Sequence, residues 1–106
     1  PRSTEKPPWS YAALIGQAIL ASKQQKLSLN QIYQYISMAY PYYKKDAPGW
    51  RNSIRHNLSL NGSFYKTERS TFKRGKGSLW AIKEEDLECF ADGNYIRKGS
   101  VAHNRK

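Results

Sequence analysis

The sequence predicts an α+β domain in which three helices precede a small antiparallel sheet that carries a long basic loop. First, its 106 residues are 39% hydrophobic, which suits one domain with one small core. Second, apolar residues recur at helical spacing in three early segments and alternate in two later ones. Third, 18 Lys and Arg against 8 Asp and Glu give a net charge of +10. Such a charge favours an anionic partner, with nucleic acid ahead of an anionic membrane.

The first helix is predicted from its cap and its apolar face. Ser10 is a suitable N-cap, and the helix is expected to run to about Ser22. Pro7 and Pro8 disfavour helix before it, so residues 1–6 are expected to form an extended lead-in. The residues that share one face at helical spacing are Tyr11, Leu14, Ile15, Ala18 and Ile19.

The second helix follows a polar break and a short alternating segment. Leu27–Leu29 alternates and predicts a short strand, after which Asn30 is expected to cap the helix. Pro41 ends it near Tyr40. Its predicted apolar face consists of Ile32, Tyr33 and Ile36.

The rest of the chain predicts a third helix, a sheet and a short closing helix. The segments in order are a turn at Asp46–Gly49, a helix over about Gly49–Leu60, strands at Ser63–Thr67 and Ser78–Ile82 joined by the loop Glu68–Gly77, and a short helix at Glu84–Ala91 that Asp92 and Gly93 stop. Three helices followed by two strands and a basic loop are the layout of a winged helix-turn-helix. This fold favours DNA binding, although fold alone does not determine function.

Charge is concentrated in two parts of the chain. Residues 51–76 hold seven basic side chains against one acidic side chain, a net charge of +6, and residues 97–106 add +4. Residues 83–96 have the opposite sign, with one lysine against five acids, and residues 1–50 hold a net +4. This concentration indicates a binding footprint, because charges that serve only solubility are spread more evenly.

The third helix separates apolar from polar side chains. At 100° per residue, Trp50, Ile54 and Leu58 fall within about 80° of one another and predict a stripe that faces the core. The polar residues on the opposite side are Asn52, Arg55, His56 and Ser59, with Arg51 at the flank. Asparagine matches adenine N6 and N7, and arginine binds guanine or phosphate. An ordinary amphipathic surface helix explains the stripe, but its polar face normally includes acids, which are absent here.

The stretch GWRNSIRHNLSLN at residues 49–61, followed by Phe64, resembles the signature of forkhead-box DNA-binding domains. Supporting motifs are KPPWSYA at 6–12, LSLNQIY at 27–33, YPYY at 40–43 and GKGSLW at 75–80. The resemblance covers about residues 6–95. The departures from the family pattern are Trp9 for tyrosine, Asn30 for a serine or threonine cap, Leu79 for an aromatic residue, and a wing loop without proline.

The resemblance implies a domain over residues 7–95 that binds an A-rich duplex element as a monomer. It assigns base contacts to Asn52, Arg55, His56 and Ser59, and backbone contacts to Tyr11, Lys76, Ser78 and Trp80. Arg51 is also expected to contact the backbone. Arg97 and Lys98, in a basic tail at 96–106, are expected to do so from charge alone. No cofactor is required. The family also implies an optional structural Mg, Na or K ion on the main-chain carbonyls of Leu58, Ser59, Asn61 and Phe64.

The predicted function is sequence-specific DNA binding by a nuclear transcription factor that regulates RNA polymerase II. Two alternatives stay open at this point: a sequence-blind chromatin protein of the linker-histone type and an RNA-binding or ribosome-associated module. An enzyme is disfavoured because no nucleophile–base set or metal cluster appears. Cys89 cannot form an internal disulfide or a cysteine-rich zinc site, and it is expected to be a small buried residue. No apolar run approaches the roughly 18–20 residues of a transmembrane helix, and no membrane partner is expected.

Overall fold

The computed structural model describes residues 5–45, 47–67 and 78–97. The whole predicted basic loop Glu68–Gly77, with Lys76, and the tail from Lys98 onward lie outside these residues. The elements in chain order are α1 (Tyr11–Ala21), β1 (Leu27–Ser28), α2 (Leu29–Ala39), α3 (Tyr42–Lys45), α4 (Trp50–Leu60), β2 (Phe64–Lys66), β3 (Leu79–Ile82) and a 3₁₀ segment (Glu84–Gly93). Among the described residues, no helix has both the length and the apolarity needed to cross a bilayer.

Helix α1 is the centre of the core. Its predicted cap is confirmed, since the Ser10 hydroxyl accepts a hydrogen bond from the Ala13 amide at 3.1 Å. The helix packs against α2, α4, β3 and the 3₁₀ segment. Burial extends beyond the predicted face to small residues, including Ala12, Ala13 and Gly16. These small side chains allow neighbouring elements to approach α1 from several directions.

Helix α2 begins two residues earlier than predicted. Ser28, and not Asn30, is the cap, because its hydroxyl accepts from the Gln31 amide at 3.2 Å. The Gln31 side chain in turn accepts from the Ser28 amide at 2.9 Å, which completes a capping box. Asn30 therefore lies inside the first turn and is exposed. The helix ends at Ala39, one residue before Tyr40, as Pro41 predicts.

Helix α3 is a four-residue element that the sequence does not predict. It follows Pro41, and it buries Tyr43 to 2% exposure. The Tyr43 ring lies 6.0 Å from the Tyr11 ring and 5.7 Å from the Trp50 ring, between centroids. Burial raises the pKa of Tyr43 above its ordinary value of 10.0, and the neighbouring tyrosines, Tyr11 first, add to the shift. Tyr43 therefore serves core packing.

The sheet has three antiparallel strands in the order β1-β3-β2, and not the two that the sequence predicts. Leu27 pairs with Trp80, while Phe64 pairs with Ile82 across the other edge of β3. The predicted short strand at Leu27 thus becomes the third strand. The cap of α2 at Ser28 is tied to the sheet through its pairing with Leu79.

The 3₁₀ segment occupies the place of the predicted short α-helix and closes the core. Phe90 lies on α1 beside Gly16, and Cys89 is buried as expected. The segment ends where Asp92 and Gly93 take positive φ values of 58° and 77°. The Gln17 side chain then donates to the Gly93 carbonyl at 2.6 Å, which fixes the end of the segment to α1.

Candidate nucleic-acid interface

Helix α4 has one buried stripe and one exposed polar face, as the sequence predicts. Trp50, Ile54 and Leu58 are buried, and the helix packs on α1. The side chains predicted to meet a partner are exposed: Arg51, Asn52, Arg55, His56 and Ser59. The sequence of α4 contains no Asp or Glu. Its exposed face therefore combines positive charge with neutral donors and acceptors.

Two of the predicted base-contact residues are joined to each other. The Arg55 guanidinium donates from Nη2 to Asn52 Oδ1 at 2.5 Å, one helical turn apart. This bond orients the Asn52 amide, so that its NH₂ group lies away from Arg55. The Ser59 hydroxyl donates to the Arg55 carbonyl at 3.3 Å, which leaves its oxygen lone pairs as acceptors.

A groove of about 870 Å³ brings together predicted contact residues from three separate parts of the chain. Asn52 and His56 come from α4, Tyr11 from the start of α1, and Arg97 from the C-terminal segment. The remaining lining is mostly polar and includes Asn61 and Ser63 of the turn after α4. The sequence alone does not show that Arg97 shares a surface with α4.

Tyr95 accounts for part of this placement of the C-terminal segment. Its ring packs on Phe90 with centroids 4.8 Å apart, and its hydroxyl lies 3.5 Å from Asn61 Oδ1. The Ile96 amide also donates to the Cys89 carbonyl at 2.8 Å. The chain leading to Arg97 is therefore held beside the end of α4.

Arg51 packs on aromatic rings at the start of α4. Its guanidinium carbon lies 5.2 Å from the centroid of the Tyr33 ring and 5.5 Å from that of Trp50. The Tyr33 hydroxyl donates to the Arg51 carbonyl at 3.1 Å. Sequence reasoning assigns Tyr33 to the apolar face of α2 only, because helical spacing says nothing about a contact 18 residues further along the chain.

Two further predicted backbone-contact residues lie at the sheet: Trp80 in β3 and Ser78 directly before it, both half-buried. Lys66 of β2 pairs with Trp80 across the sheet and places its ammonium 5.5 Å from the indole ring. Sequence reasoning misses Lys66 as a cation beside this predicted contact. Strand alternation was the available signal, since it places alternate residues of paired strands on one face.

The turn after α4 contains the main-chain oxygens expected to hold an optional cation. The Asn61 carbonyl accepts from the Phe64 amide at 3.2 Å, so one of its lone pairs is in use. Leu58 and Ser59 lie in the last turn, where a helix leaves its carbonyls without intrahelical donors. Within the described ranges, no group of three or more His, Cys, Asp and Glu residues could hold a metal.

Acidic side chains are collected in the 3₁₀ segment. Glu84, Glu85 and Glu88 are exposed, and the first two lie in its first turn with Asp86. Asp86 also lines the groove. Acids in the first turn of a helical segment favour its dipole, so a structural reason exists for their position.

Comparison with known proteins agrees with this architecture. Residues 5–91 match the family described as "Forkhead domain". The chain belongs to the forkhead family. The forkhead domain is 47% identical over 93 residues to Forkhead box protein I2 of Homo sapiens and to Forkhead box protein I1c of Xenopus tropicalis. It is 46% identical over the same length to Forkhead box protein I2 of Mus musculus.

The match covers 88% of this chain but only 26 to 30% of these three relatives, so the chain spans less than a third of their length. Members of the forkhead family are sequence-specific DNA-binding transcription factors and not enzymes. The predicted winged-helix fold and family resemblance are therefore confirmed, and so is the prediction that the domain is not an enzyme.

Proposed function

We propose that this forkhead domain, over residues 7–95, binds an A-rich duplex element as a monomer, with α4 in the major groove. The protein that contains it regulates transcription by RNA polymerase II in the nucleus. The observation that carries the proposal is the acid-free, exposed face of α4, which shares one groove with Tyr11 and Arg97. An α-helix fits the width of the major groove, where each base pair presents a distinct pattern of donors and acceptors.

Asn52 is the residue proposed to read adenine. A bidentate contact needs the amide NH₂ to donate to N7 and the amide oxygen to accept from N6. The hydrogen bond from Arg55 already fixes which end of the amide is the donor. One lone pair of Asn52 Oδ1 stays available for N6, because a carbonyl oxygen has two. The Arg55–Asn52 pair therefore supports a preorganised reading of adenine.

The other exposed residues of α4 are assigned by their chemistry. Arg55 binds a guanine or a phosphate, His56 donates, accepts or packs on a thymine methyl group, and Ser59 contacts a nearby base or phosphate. Arg51 at the start of the helix binds the backbone. The acids of the described residues are concentrated in the 3₁₀ segment, and among the residues that line the groove Asp86 is the one acid.

The remaining backbone contacts are proposed for the surfaces that flank α4. They comprise Tyr11, Ser78 and Trp80, together with Lys76 of the wing and Arg97 and Lys98 of the basic tail at 96–106. Several phosphate contacts make binding fall steeply with salt concentration. The sequence-blind and RNA-binding alternatives are distinguished from this proposal by the sequence dependence and the duplex preference of binding.

An optional cation is proposed for the main-chain carbonyls of Leu58, Ser59, Asn61 and Phe64. Carbonyl oxygens suit hard cations such as Na⁺, K⁺ or Mg²⁺. Its role would be structural, because it would hold the turn that follows α4. The chlorides of Na⁺, K⁺ and Mg²⁺ should each raise the melting temperature of the domain above its value in tetramethylammonium chloride of equal ionic strength. Equal melting temperatures in all four salts would contradict the site.

The proposal is tested by Asn52→Ala on a forkhead-type duplex and on a scrambled duplex of equal length. Loss of the bidentate contact is expected to cost about 1–3 kcal/mol on the first duplex and little on the second. Asn30→Ala is the matched control, because Asn30 is an exposed helical asparagine on α2. Equal losses on both duplexes in Asn52→Ala would contradict the base-reading role.

A further inference from the structure

Helix α4 begins without the side-chain cap that stabilises the other two long helices. The hydroxyls of Ser10 and Ser28 cap α1 and α2. At the same position before α4 stands Gly49, with φ of 84°, and no side chain within the described ranges caps this helix. The first turn nevertheless carries Arg51 and Asn52, two residues proposed to meet DNA.

Tyr33 of α2 contacts the first turn of α4 through both its hydroxyl and its ring. Its hydroxyl donates to the Arg51 carbonyl at 3.1 Å, which attaches the main chain of the first turn to α2. Its ring packs edge-on against Trp50, with centroids 5.6 Å apart and planes at 78°. The Arg51 guanidinium lies within 5.5 Å of both ring centroids. Both the main chain and the side chain of Arg51 are thus restrained by the same tyrosine.

We propose that Tyr33 is a positioning residue for DNA binding, which holds the first turn of α4 and the guanidinium of Arg51 in place before DNA arrives. The inference rests on the proposed function, since it assigns Arg51 to a phosphate. A free arginine side chain loses rotamer freedom when it binds, and a guanidinium already held beside two rings loses less. The aromatic faces add attraction for the cation itself.

A double-mutant cycle separates positioning from a merely structural role. Tyr33→Leu is expected to lower affinity for the forkhead-type duplex by about twofold to fivefold, the range of an exposed cation–π contact. In the Arg51→Ala background the same change is expected to lower affinity by less than about 1.5-fold, because the positioned group is gone. Equal losses in both backgrounds would overturn the proposal.

Two further variants define which part of Tyr33 acts. Tyr33→Phe removes the hydrogen bond to the Arg51 carbonyl but keeps the ring, so its loss of affinity should be smaller than that of Tyr33→Leu. Tyr65→Leu is the control, since Tyr65 is 43% exposed on β2. It should leave duplex affinity unchanged. A loss in Tyr65→Leu as large as that in Tyr33→Leu would overturn a specific role for Tyr33.

A measurement on the free domain keeps this inference separate from the proposed function. The NMR order parameter of the Arg51 Nε–H bond should fall below about 0.6 in Tyr33→Leu and lie above it in the unsubstituted domain. If the Arg51 side chain is equally mobile in both, positioning by Tyr33 is wrong. If Arg51 is restrained but the domain binds no duplex, the proposed function fails while the restraint stands.

Discussion

Replacing Gly16 by alanine tests the closest packing of the core. Gly16 lies in the middle of α1, and an added Cβ would overlap Phe90 Cδ1 and lie 2.8 Å from Cε1. The Phe90 ring cannot move away easily, because the Phe64 and Tyr95 rings lie 5.5 and 4.8 Å from it. Two opposing effects therefore decide the sign of the change in stability.

Alanine favours a helix over glycine by about 1 kcal/mol, whereas overpacking a filled core costs about 1–3 kcal/mol. The overlap involves a ring carbon held from both sides, so the cost should lie near the upper end of that range. We expect a net loss of about 1–2 kcal/mol in the free energy of unfolding. For a domain of this size the melting temperature should fall by about 5–15 °C.

The assay is thermal and urea unfolding followed by circular dichroism, with two companion variants. Gly62→Ala is the control, because an added Cβ at Gly62 would meet nothing within 4 Å. The free energy of unfolding of this variant should therefore change little. Phe90→Leu makes room, so Gly16→Ala should cost at least about 0.5 kcal/mol less in that background. A Gly16→Ala domain as stable as the parent, or more stable, would refute the packing argument.

Three further predictions concern Lys76 in the wing (the predicted basic loop Glu68–Gly77), the buried Tyr43, and the Ser28 cap of α2. Lys76→Ala should weaken binding to all duplexes alike and lower the slope of log affinity against log salt by about one, as measured by fluorescence anisotropy; a loss confined to one sequence would contradict a phosphate contact. The raised pKa of Tyr43 favours its neutral form in the folded state. Stability should therefore be full below about pH 10 and fall as the pH rises further. In Tyr43→Phe this alkaline loss, measured by urea unfolding, should be smaller, and an equal loss would contradict the assignment. Ser28→Ala should cost about 1 kcal/mol in the free energy of unfolding and Asn30→Ala almost nothing, whereas the reverse order would contradict the observed cap.

The sequence predicts helices better than it predicts how they begin. The stripe of Trp50, Ile54 and Leu58 is visible because helical spacing is local. The sequence does not identify the cap of α2, because Ser28 and Asn30 are both good capping residues; the two reciprocal hydrogen bonds between Ser28 and Gln31 show that it is Ser28. Helix α3 is not predicted, because its four residues are too few to show helical periodicity.

The candidate site shows the same division between local and long-range information. The exposed set on α4 follows from spacing, and the family resemblance assigns its members to bases. The contact between Tyr33 and Arg51 and the approach of Arg97 to the groove depend on tertiary packing. Residue types predict neither contact. A tyrosine on a helix face is equally typical of a core position, and a basic residue near the end of the sequence does not indicate which surface it joins.

The central claim is that this domain reads a DNA sequence through α4. The most direct test is a selection of bound duplexes from a random pool, with affinities measured at two salt concentrations. Our account predicts enrichment of one A-rich motif, which disappears in Asn52→Ala and in His56→Ala. Strong, salt-sensitive binding to every duplex with no enriched motif would contradict it and indicate a sequence-blind architectural protein.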